Sequence, residues 1–303
     1  MKIAVLLPCY NESASIGALI DDIRNNLPES DIIVFDNNST DNSVDIAKEK
    51  GVLLHTVKNQ GKGHVVKAMF RDIDADYYVM MDADGTYPTD KLSEHINKCT
   101  EKKVDMLVGS RIQYFTESQS RKGHYWGNRL LTRTLNFLFN CDYNDILSGY
   151  RIMSNRFVKS IPLFSKGFEV ETVLSVHAIE VDAKLLQVKI DYLPRIEGSE
   201  SKLNTYRDGF KILRTILQLF RDYKPNLFYG LIALVIFTMG MIFGIPVVIE
   251  FFDTGLVERF PSAILASALV IISFIVTVAG IILSSVSRNR TIIKKLAFLS
   301  SKK

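Results

Sequence analysis

Two carboxylates separated by one residue form the chemically most specific stretch of this chain. Asp82-Ala83-Asp84-Gly85 directly follows an apolar run at residues 77–81, so a buried strand is expected to end at this turn. Carboxylate oxygens suit hard cations such as Mg2+ or Mn2+, which usually share their coordination with substrate phosphates. A solvated acidic turn is the alternative, because Asp and Gly are ordinary turn residues.

A lysine between two glycines is the second candidate site. Gly61-Lys62-Gly63 stands at the start of a predicted helix. Glycines let the backbone approach a phosphate, and a helix N-terminus favours an anion. The stretch is neither a Walker A motif nor a G-x-G-x-x-G motif, and a flexible turn is the alternative. Together with the paired aspartates, it predicts a site for a nucleotide diphosphate.

The elements that position these residues alternate between strands and helices. Apolar runs predict strands at residues 3–7, 32–35, 52–57, 77–81 and 106–108, and helical periodicity predicts helices at residues 16–27, 44–50, 65–73 and 88–102. This alternation indicates an α/β fold with a mostly parallel sheet. In such sheets ligands bind beyond the carboxyl ends of the strands. A polar cluster follows every predicted strand, at residues 8–12, 36–41, 59–63, 82–85 and 109–111.

The C-terminal part of the chain has a different composition. Residues 227–249 and 260–287 contain no charged side chain, and each stretch is long enough to cross a hydrocarbon core of roughly 30 Å. We expect a two-helix transmembrane hairpin within residues 225–288, with spans at about 227–249 and 261–286, followed by a basic tail at 289–303. The basic outer flanks place both chain ends in the cytoplasm by the positive-inside rule.

An amphipathic helix is expected at residues 205–224, before the first span. Its apolar positions recur at steps of three and four, at Tyr206, Phe210, Leu213, Leu217 and Phe220, with Arg207, Lys211, Arg214 and Arg221 beside them. A basic amphipathic helix next to a membrane span suits the headgroup layer. The alternative is a helix packed on the preceding domain, which we expect at residues 1–204.

Composition excludes several other classes of protein. The 303 residues carry 37 Lys+Arg against 33 Asp+Glu, and this mild excess does not indicate a nucleic-acid partner. The three cysteines, Cys9, Cys99 and Cys141, are far apart and form no CxxC pair. Neither a disulfide framework nor a zinc site is therefore indicated.

The order and spacing of the five polar clusters resemble those of inverting family 2 glycosyltransferases. Within that family the chain is similar to the dolichyl-phosphate mannosyltransferase and bactoprenyl-phosphate glucosyltransferase group, over residues 1–210. The resemblance implies a GT-A fold, which is Rossmann-like, and a nucleotide-sugar donor. It also implies a divalent metal, Mg2+ or Mn2+, at the D-x-D motif, and transfer of the sugar with inversion to a polyprenyl phosphate.

The resemblance assigns roles to particular residues. Nucleotide-sugar binding is implied for Pro8, Tyr10, Glu12, Asp36, Lys62, Asp82, Ala83 and Asp84, and metal binding for Asp82 and Asp84. Catalytic roles are implied for Asp145, Asp84 and Arg195. Contacts with the acceptor phosphate are implied for Arg111, Arg129 and Lys202. One departure from the family pattern is Asn37, which stands where the family often has a second Asp after Asp36.

The acidic stretch beginning at Asp145 leaves two roles open. In many inverting members an Asp at this place deprotonates a hydroxyl, but a phosphate acceptor is already ionised near neutral pH. Asp145 would then orient the acceptor or Arg151. Glu169 and Glu171 begin a predicted helix, where acids also complement the helix dipole. The polar stretch at residues 111–123 lacks periodicity and is expected to be a mobile acceptor loop.

These features together predict a multi-pass glycosyltransferase of the plasma membrane with a cytoplasmic catalytic domain. It would move a hexose or N-acetylhexosamine to polyprenyl phosphate for cell-envelope glycan or glycoprotein synthesis. A UDP-sugar donor is favoured over GDP-mannose, and a homo-oligomer is possible. One alternative is transfer to a hydroxyl of a lipid-linked glycan, with Asp145 as the base. Another is a non-catalytic membrane scaffold that binds nucleotide-sugar.

Overall fold

The computed structural model describes residues 1–111, 122–162, 165–195 and 205–301. Most of the predicted acceptor loop and Lys202 lie outside the described residues. The chain divides into two compact units. The first comprises Met1–Ile216 together with the C-terminal residues from Lys294, and the second comprises Leu217–Ile293.

A seven-stranded mixed sheet forms the centre of the first unit, in the order β3-β2-β1-β4-β6-β5-β7. The strands are β1 (Ile3–Cys9), β2 (Asp31–Asp36), β3 (Leu53–Thr56), β4 (Tyr77–Met80), β5 (Met106–Ser110), β6 (Arg151–Ser154) and β7 (Leu185–Lys189). The helices are α1 (Ile16–Asn26), α2 (Ser43–Glu49), α3 (Lys62–Asp72), α4 (Leu92–Glu101), α5 (Lys122–Phe139), α6 (Asn155–Ser160), α7 (Val170–Glu180) and α8 (Thr205–Tyr223).

Parallel pairing brings the predicted polar clusters to one edge of the sheet. Strand β1 pairs in parallel with β2 and with β4, so that Cys9 lies opposite Asp36 and Leu6 lies opposite Met80. The inward-facing residues of these strands are Ile, Val, Leu and Met, which form the buried core together with the apolar face of α1. The prediction of an α/β fold with a mostly parallel sheet is confirmed.

Strands β6 and β7 were not predicted from the sequence. Strand β6 lies antiparallel between β4 and β5, and β7 extends the sheet in parallel beyond β5. Strand β6 begins with Arg151, whose side chain is completely buried. A charged first residue and a length of four residues hide this strand from any search for apolar runs.

The amphipathic helix α8 differs from its predicted orientation. Its buried residues include Ile212, Ile216 and Phe220, whereas Phe210 and Leu217 are exposed. The predicted lipid-facing stripe included Phe220, which is instead buried. Ile212 and Ile216 are both branched apolar residues one turn apart, so the helix has a second apolar stripe that the prediction did not use. Phe210 and Leu217 still give the outer face apolar character.

The second unit contains two long helices, α9 (Pro225–Thr254) and α10 (Phe260–Ser300), and α10 extends past this unit into the first. Both are long and apolar enough to cross a membrane. They run antiparallel, since Gly240 faces Val270 while Gly280 faces Tyr229. A Cβ atom at Gly280 would lie 2.9 Å from the Cβ of Tyr229, and small residues are what allow helices in lipid to approach closely.

Helix α10 continues beyond the predicted end of the second span at residue 286. Its last residues belong to the first unit, where the Nζ of Lys294 lies 2.8 Å from a carboxylate oxygen of Glu180. The Phe298 ring is buried and lies under the Arg156 guanidinium. Residues 289–300 of the predicted basic tail are therefore helical, and Lys294 and Phe298 pack on the first unit.

Asp105 provides a test of the buried polar contacts that hold the first unit together. Its carboxylate is buried and accepts hydrogen bonds from Arg156 at 2.5 and 2.8 Å, from Ser154 Oγ at 3.0 Å and from the Lys184 amide at 2.9 Å. Asp105→Ala leaves the partners of a buried charge unpaired, so we expect the midpoint of thermal unfolding in detergent to fall by roughly 6–12 °C.

The matched control for this substitution is Asp74→Ala. The Asp74 carboxylate is 84% exposed and 3.7 Å from Lys159, and an exposed ion pair contributes about 1 kcal/mol at most. Equal midpoints for the two variants would contradict the importance assigned to Asp105.

Candidate active site

The D-x-D turn begins two residues after the end of β4, and each of its carboxylates is paired with a cation. Asp82 Oδ1 lies 2.5 Å from Lys62 Nζ, and Asp84 Oδ2 lies 2.5 Å from Arg195 Nη2. The other oxygen of Asp84 accepts hydrogen bonds from the amide and hydroxyl of Thr86, at 3.1 and 2.6 Å. The acidic pair is therefore not a solvated turn.

The backbone of the same turn is fixed to the start of α1. Ser15 Oγ donates a hydrogen bond of 2.7 Å to the Ala83 carbonyl, and it is fully buried at the start of α1. Gly149 packs directly on the other side, where a Cβ atom would lie 2.5 Å from Asp82 Oδ2. Only glycine leaves room for the carboxylate here.

The two glycines around Lys62 have a structural reason that the sequence did not indicate. The chain at Ser165 and Lys166 passes so close that a Cβ at Gly61 would lie 2.2 Å from the Lys166 carbonyl oxygen. A Cβ at Gly63 would lie 2.4 Å from the Ser165 carbonyl oxygen. Gly61 also has φ of +130°, which L side chains rarely adopt. Close chain packing thus accounts for both glycines, beside the phosphate approach predicted for them.

Lys62 Nζ bridges two carboxylates from different elements. It lies 2.5 Å from Asp82 and 2.6 Å from Glu171 Oε1 at the start of α7. Burial would lower the pKa of Lys62, but Asp82 and Glu171 raise it above its ordinary value, so the ammonium stays charged. Burial raises the pKa of Glu171 above its ordinary value; the nearby charge of Asp82 acts in the same direction, and Lys62 acts against it.

A second ion pair joins Arg111, just beyond β5, to Asp145. Nε and Nη2 of Arg111 donate to the two carboxylate oxygens of Asp145 at 2.7 and 3.0 Å, and Asn128 Nδ2 on α5 donates at 3.0 Å. Burial alone would raise the pKa of Asp145, but the charge and hydrogen bonds of Arg111 bring it below its ordinary value. The carboxylate is thus held ionised and already occupied.

Tyr87 connects the two ion pairs. Its buried hydroxyl accepts a 2.8 Å hydrogen bond from the amide of Gly149, the residue that packs on Asp82. Burial raises the pKa of Tyr87, and the charges of Arg111, Asp82 and Lys62 also act on this phenol. Both ion pairs therefore lie within electrostatic range of one side chain.

The residues predicted for the nucleobase pocket lie at the ends of β1 and β2. Asp36 is buried, and its carboxylate accepts hydrogen bonds from the amides of Asn38 and Ser39 at 3.2 and 3.1 Å. Glu12 is also buried, whereas Tyr10 is at the limit of exposure at 36%. Pro8 pairs with Phe35 in the register of these strands. The base contacts implied for these four residues stay predictions.

Asn37, which departs from the family pattern, has a structural role that the sequence analysis does not predict. Its amide nitrogen donates to the carbonyls of Val57 and Asn59, and its amide oxygen accepts from Gly61. An aspartate could not make the two donations. Asn37 therefore ties the end of β2 to the loop that carries Lys62, and its side-chain amide is the signal for this role.

Arg151 has different partners from the one expected, whereas the role predicted for Arg129 stays a prediction. Arg151 makes no hydrogen bond to Asp145 among the described residues; its guanidinium donates to the carbonyls of Ile146 and Ser148 and to Ser175 Oγ. It is a buried residue that shapes the Asp145 loop, which corrects the expectation that Asp145 orients it. Arg129 is exposed on α5, next to Asn128. Lys202, the third residue predicted at the acceptor phosphate, lies outside the described residues.

The donor set of the D-x-D turn fits a hard divalent cation. Two carboxylates stand one residue apart, and nearby Glu171 Oε2 is buried without a hydrogen-bond partner in the described part of the chain. No cluster of three or more His, Cys, Asp or Glu side chains that could hold a metal occurs among the described residues. Protein ligands alone would leave most coordination positions open, as is usual where substrate phosphates complete the shell.

Comparison with known proteins identifies the family. Residues 4–161 match the model of glycosyl transferase family 2. Because this match covers about half of the chain, with the strand-end clusters inside it, the chain belongs to that family. It is a glycosyltransferase.

Two curated relatives extend the similarity beyond residue 161. The chain is 33% identical over 230 residues to glycosyltransferase AglJ of Haloferax volcanii, covering 75% of this chain and 74% of the relative. It is 27% identical over 220 residues to an undecaprenyl-phosphate mannosyltransferase of Micrococcus luteus, covering 67% and 88%. Both alignments are longer than the family-model match.

A solved structure with the same fold is glucosyl-3-phosphoglycerate synthase of Mycobacterium tuberculosis. It superposes with a TM-score of 0.59 at 20% identity, over 72% of this chain and 79% of that chain, in a complex with Mn2+, UDP and glucosyl-3-phosphoglycerate. At this identity the likeness establishes the GT-A fold.

A substitution at Gly63 tests whether this glycine is needed for close packing against the Ser165 backbone or for the approach of a phosphate. Gly63→Ala places a methyl group against the Ser165 backbone, so we expect thermal stability without any ligand to fall by about 1–3 kcal/mol. The measurement is thermal unfolding in detergent, with and without UDP.

Gly127→Ala is the matched control, because nothing lies within 4 Å of a Cβ at that helical glycine. It should be neutral or slightly stabilising. If Gly63→Ala weakened UDP binding while leaving the unliganded midpoint unchanged, phosphate approach would be the reason for this glycine.

Proposed function

We propose that this protein transfers a hexose or N-acetylhexosamine from a nucleotide-diphosphate sugar to a polyprenyl phosphate, with inversion, at the plasma membrane. The carrying observation is the pairing of both D-x-D carboxylates with cations, Asp82 with Lys62 and Asp84 with Arg195. This arrangement places two carboxylates and two phosphate-binding cations at one strand end. A leaving nucleoside diphosphate requires that combination of charges.

Lys62 and Arg195 exchange partners when the donor binds. Each holds an aspartate in the absence of ligand, and each is a phosphate-binding residue by chemistry. Asp82 and Asp84 would hold a divalent cation, which would supply positive charge to the diphosphate. Lys62 and Arg195 turn from the aspartates to the diphosphate oxygens and stabilise the leaving group.

Arg111 and Asp145 serve the acceptor side. A phosphate monoester attacks as an anion, so the protein must orient it rather than remove a proton. Arg111 is the guanidinium suited to bidentate phosphate binding, and Asp145 holds its planar fork in place. Arg129 and Lys202 supply further positive charge for the same phosphate.

The acceptor class is supported by the C-terminal helices and by the relatives. A polyprenyl phosphate resides in the bilayer, and α9 and α10 are long and apolar enough to span one. The relative from Micrococcus luteus acts on undecaprenyl phosphate by name. Basic residues flanking the spans favour a cytoplasmic catalytic domain and cytoplasmic chain ends. We retain a UDP-sugar as the favoured donor, bound by residues at the ends of β1 and β2.

The alternative acceptor, a hydroxyl of a lipid-linked glycan, is disfavoured by the state of Asp145. A general base works best with a pKa near the operating pH. Arg111 lowers the pKa of Asp145 and occupies both of its oxygens. The non-catalytic scaffold is disfavoured because the ion pairs on the donor and acceptor sides are both intact.

Asp84→Ala tests the proposal. Purified protein in detergent is incubated with a panel of labelled UDP- and GDP-sugars, undecaprenyl phosphate and Mg2+ or Mn2+, and the chloroform-soluble product is counted. We expect a labelled lipid with the wild type and a loss of at least about 100-fold with Asp84→Ala, since the diphosphate loses its charge stabilisation.

Asp90→Ala, at an exposed aspartate shortly after the same turn, is the control and should retain activity. Full activity of Asp84→Ala would overturn the donor-site assignment. Donor binding without a labelled lipid from any sugar would favour the scaffold. Product formed only when a lipid-linked glycan is supplied in place of undecaprenyl phosphate would favour the hydroxyl acceptor.

A further inference from the structure

Helix α5 exposes large apolar side chains along one face. Trp126, Leu130 and Phe137 are 63%, 65% and 85% exposed. At 3.6 residues per turn these three side chains and Arg133 fall within a sector of about 60°. Leu131, Leu135 and Phe139, which are buried in the first unit, lie on the opposite side of the helix. We call the exposed sector the α5 outer face.

The charges of α5 indicate what covers this face. The helix contains no acidic residue, and the exposed Arg133 lies within the outer face while the exposed Arg129 lies at its border. A second copy of this face would bring arginine against arginine with no acidic residue on the helix, and like charges in contact disfavour such an interface. At a bilayer interface, Trp, Leu and Phe side chains insert among the acyl chains, and arginine side chains extend to the anionic headgroups.

We propose that the α5 outer face lies in the headgroup layer of the membrane, as a contact additional to the spanning helices and to α8. The occupant is a phospholipid bilayer that contains anionic lipid. From Trp126 to Phe137 the face extends about 16 Å along the helix. That length, with three large apolar side chains and two arginines, suits an interfacial helix lying in the membrane plane.

This contact has a consequence for the acceptor side, which rests on the proposed function. Asn128 lies on α5 away from the outer face, and it donates a hydrogen bond to Asp145, the partner of Arg111. Docking of α5 would therefore set the depth at which Arg111 and Asp145 meet a phosphate at the bilayer surface. The docking itself does not depend on any transfer activity.

The chain carries its own reporter for the test, since Trp126 is its only tryptophan. The full-length protein is reconstituted in phosphatidylcholine–phosphatidylglycerol vesicles with lipids brominated at shallow or deep acyl positions. We expect shallow bromines to reduce Trp126 emission by at least about twofold relative to unbrominated vesicles, and more than deep bromines.

Phe137→Glu should reduce the quenching, because a carboxylate is repelled by the anionic surface. The matched control is Leu53→Glu, at a leucine that is 60% exposed on the edge strand β3, and it should leave the quenching unchanged. The proposal would be overturned if Trp126 fluorescence were insensitive to brominated lipid and strongly quenched by acrylamide. The proposal would also be overturned if Trp126 were protected from acrylamide but not quenched by lipid, and if that protection increased with the number of protein molecules per vesicle. That result would favour contact with a second copy of the chain.

A parallel assay separates this inference from the proposed function. Phe137→Glu should lower transfer to undecaprenyl phosphate about tenfold while leaving UDP binding unchanged, because acceptor presentation is lost and the donor site is not. If lipid quenches Trp126 in a protein that has no transfer activity, the proposed function is contradicted and the membrane contact is supported. If the protein transfers sugar but lipid does not quench Trp126, the membrane contact is contradicted and the proposed function is supported.

Discussion

The site depends on pairing two neighbouring aspartates with cations at the end of a buried strand. Asp84 is almost completely buried and Asp82 is mostly so. Removing two carboxylates from water at such a place costs free energy unless cations compensate their charge. The compensation comes from distant parts of the chain, because Lys62 begins α3 and Arg195 follows β7. The sheet order, the close-packed glycines and the Asn37 hydrogen bonds all serve to bring those cations to this turn.

The same principle operates on the acceptor side with a different result. Asp145 and Arg111 form a bidentate ion pair in which Asp145 is buried and Arg111 is mostly buried, with Asn128 as a third partner. Lys62 is shared between two carboxylates and can leave one of them, whereas Arg111 is held by one carboxylate on both of its oxygens. We interpret the first arrangement as exchangeable and the second as a fixed support for phosphate recognition.

Much of the fold could be predicted from the sequence, because β1, β2, β4 and β5 are apolar runs followed by polar clusters. Helices α1 to α4 could also be predicted from their periodicity, although α4 begins at Leu92 rather than at residue 88. Strand β6 could not be predicted, since Arg151 opens it and its burial depends on the carbonyls of Ile146 and Ser148. The sequence placed Lys62 near the donor, but its bridge to Glu171 spans 109 positions and leaves no local pattern. Asp145 was located by resemblance, while its pairing with Arg111 required the structure.

The most direct measurement of the exchangeable pair is a comparison of two affinities in Lys62→Gln. Mn2+ binding without nucleotide and UDP binding in the presence of Mn2+ would be titrated for this variant and the wild type. The proposed function has Lys62 compete with the metal for Asp82 and support the diphosphate, so we expect tighter binding of Mn2+ alone and weaker binding of UDP. Unchanged affinities, or two affinities that move in the same direction, would contradict it.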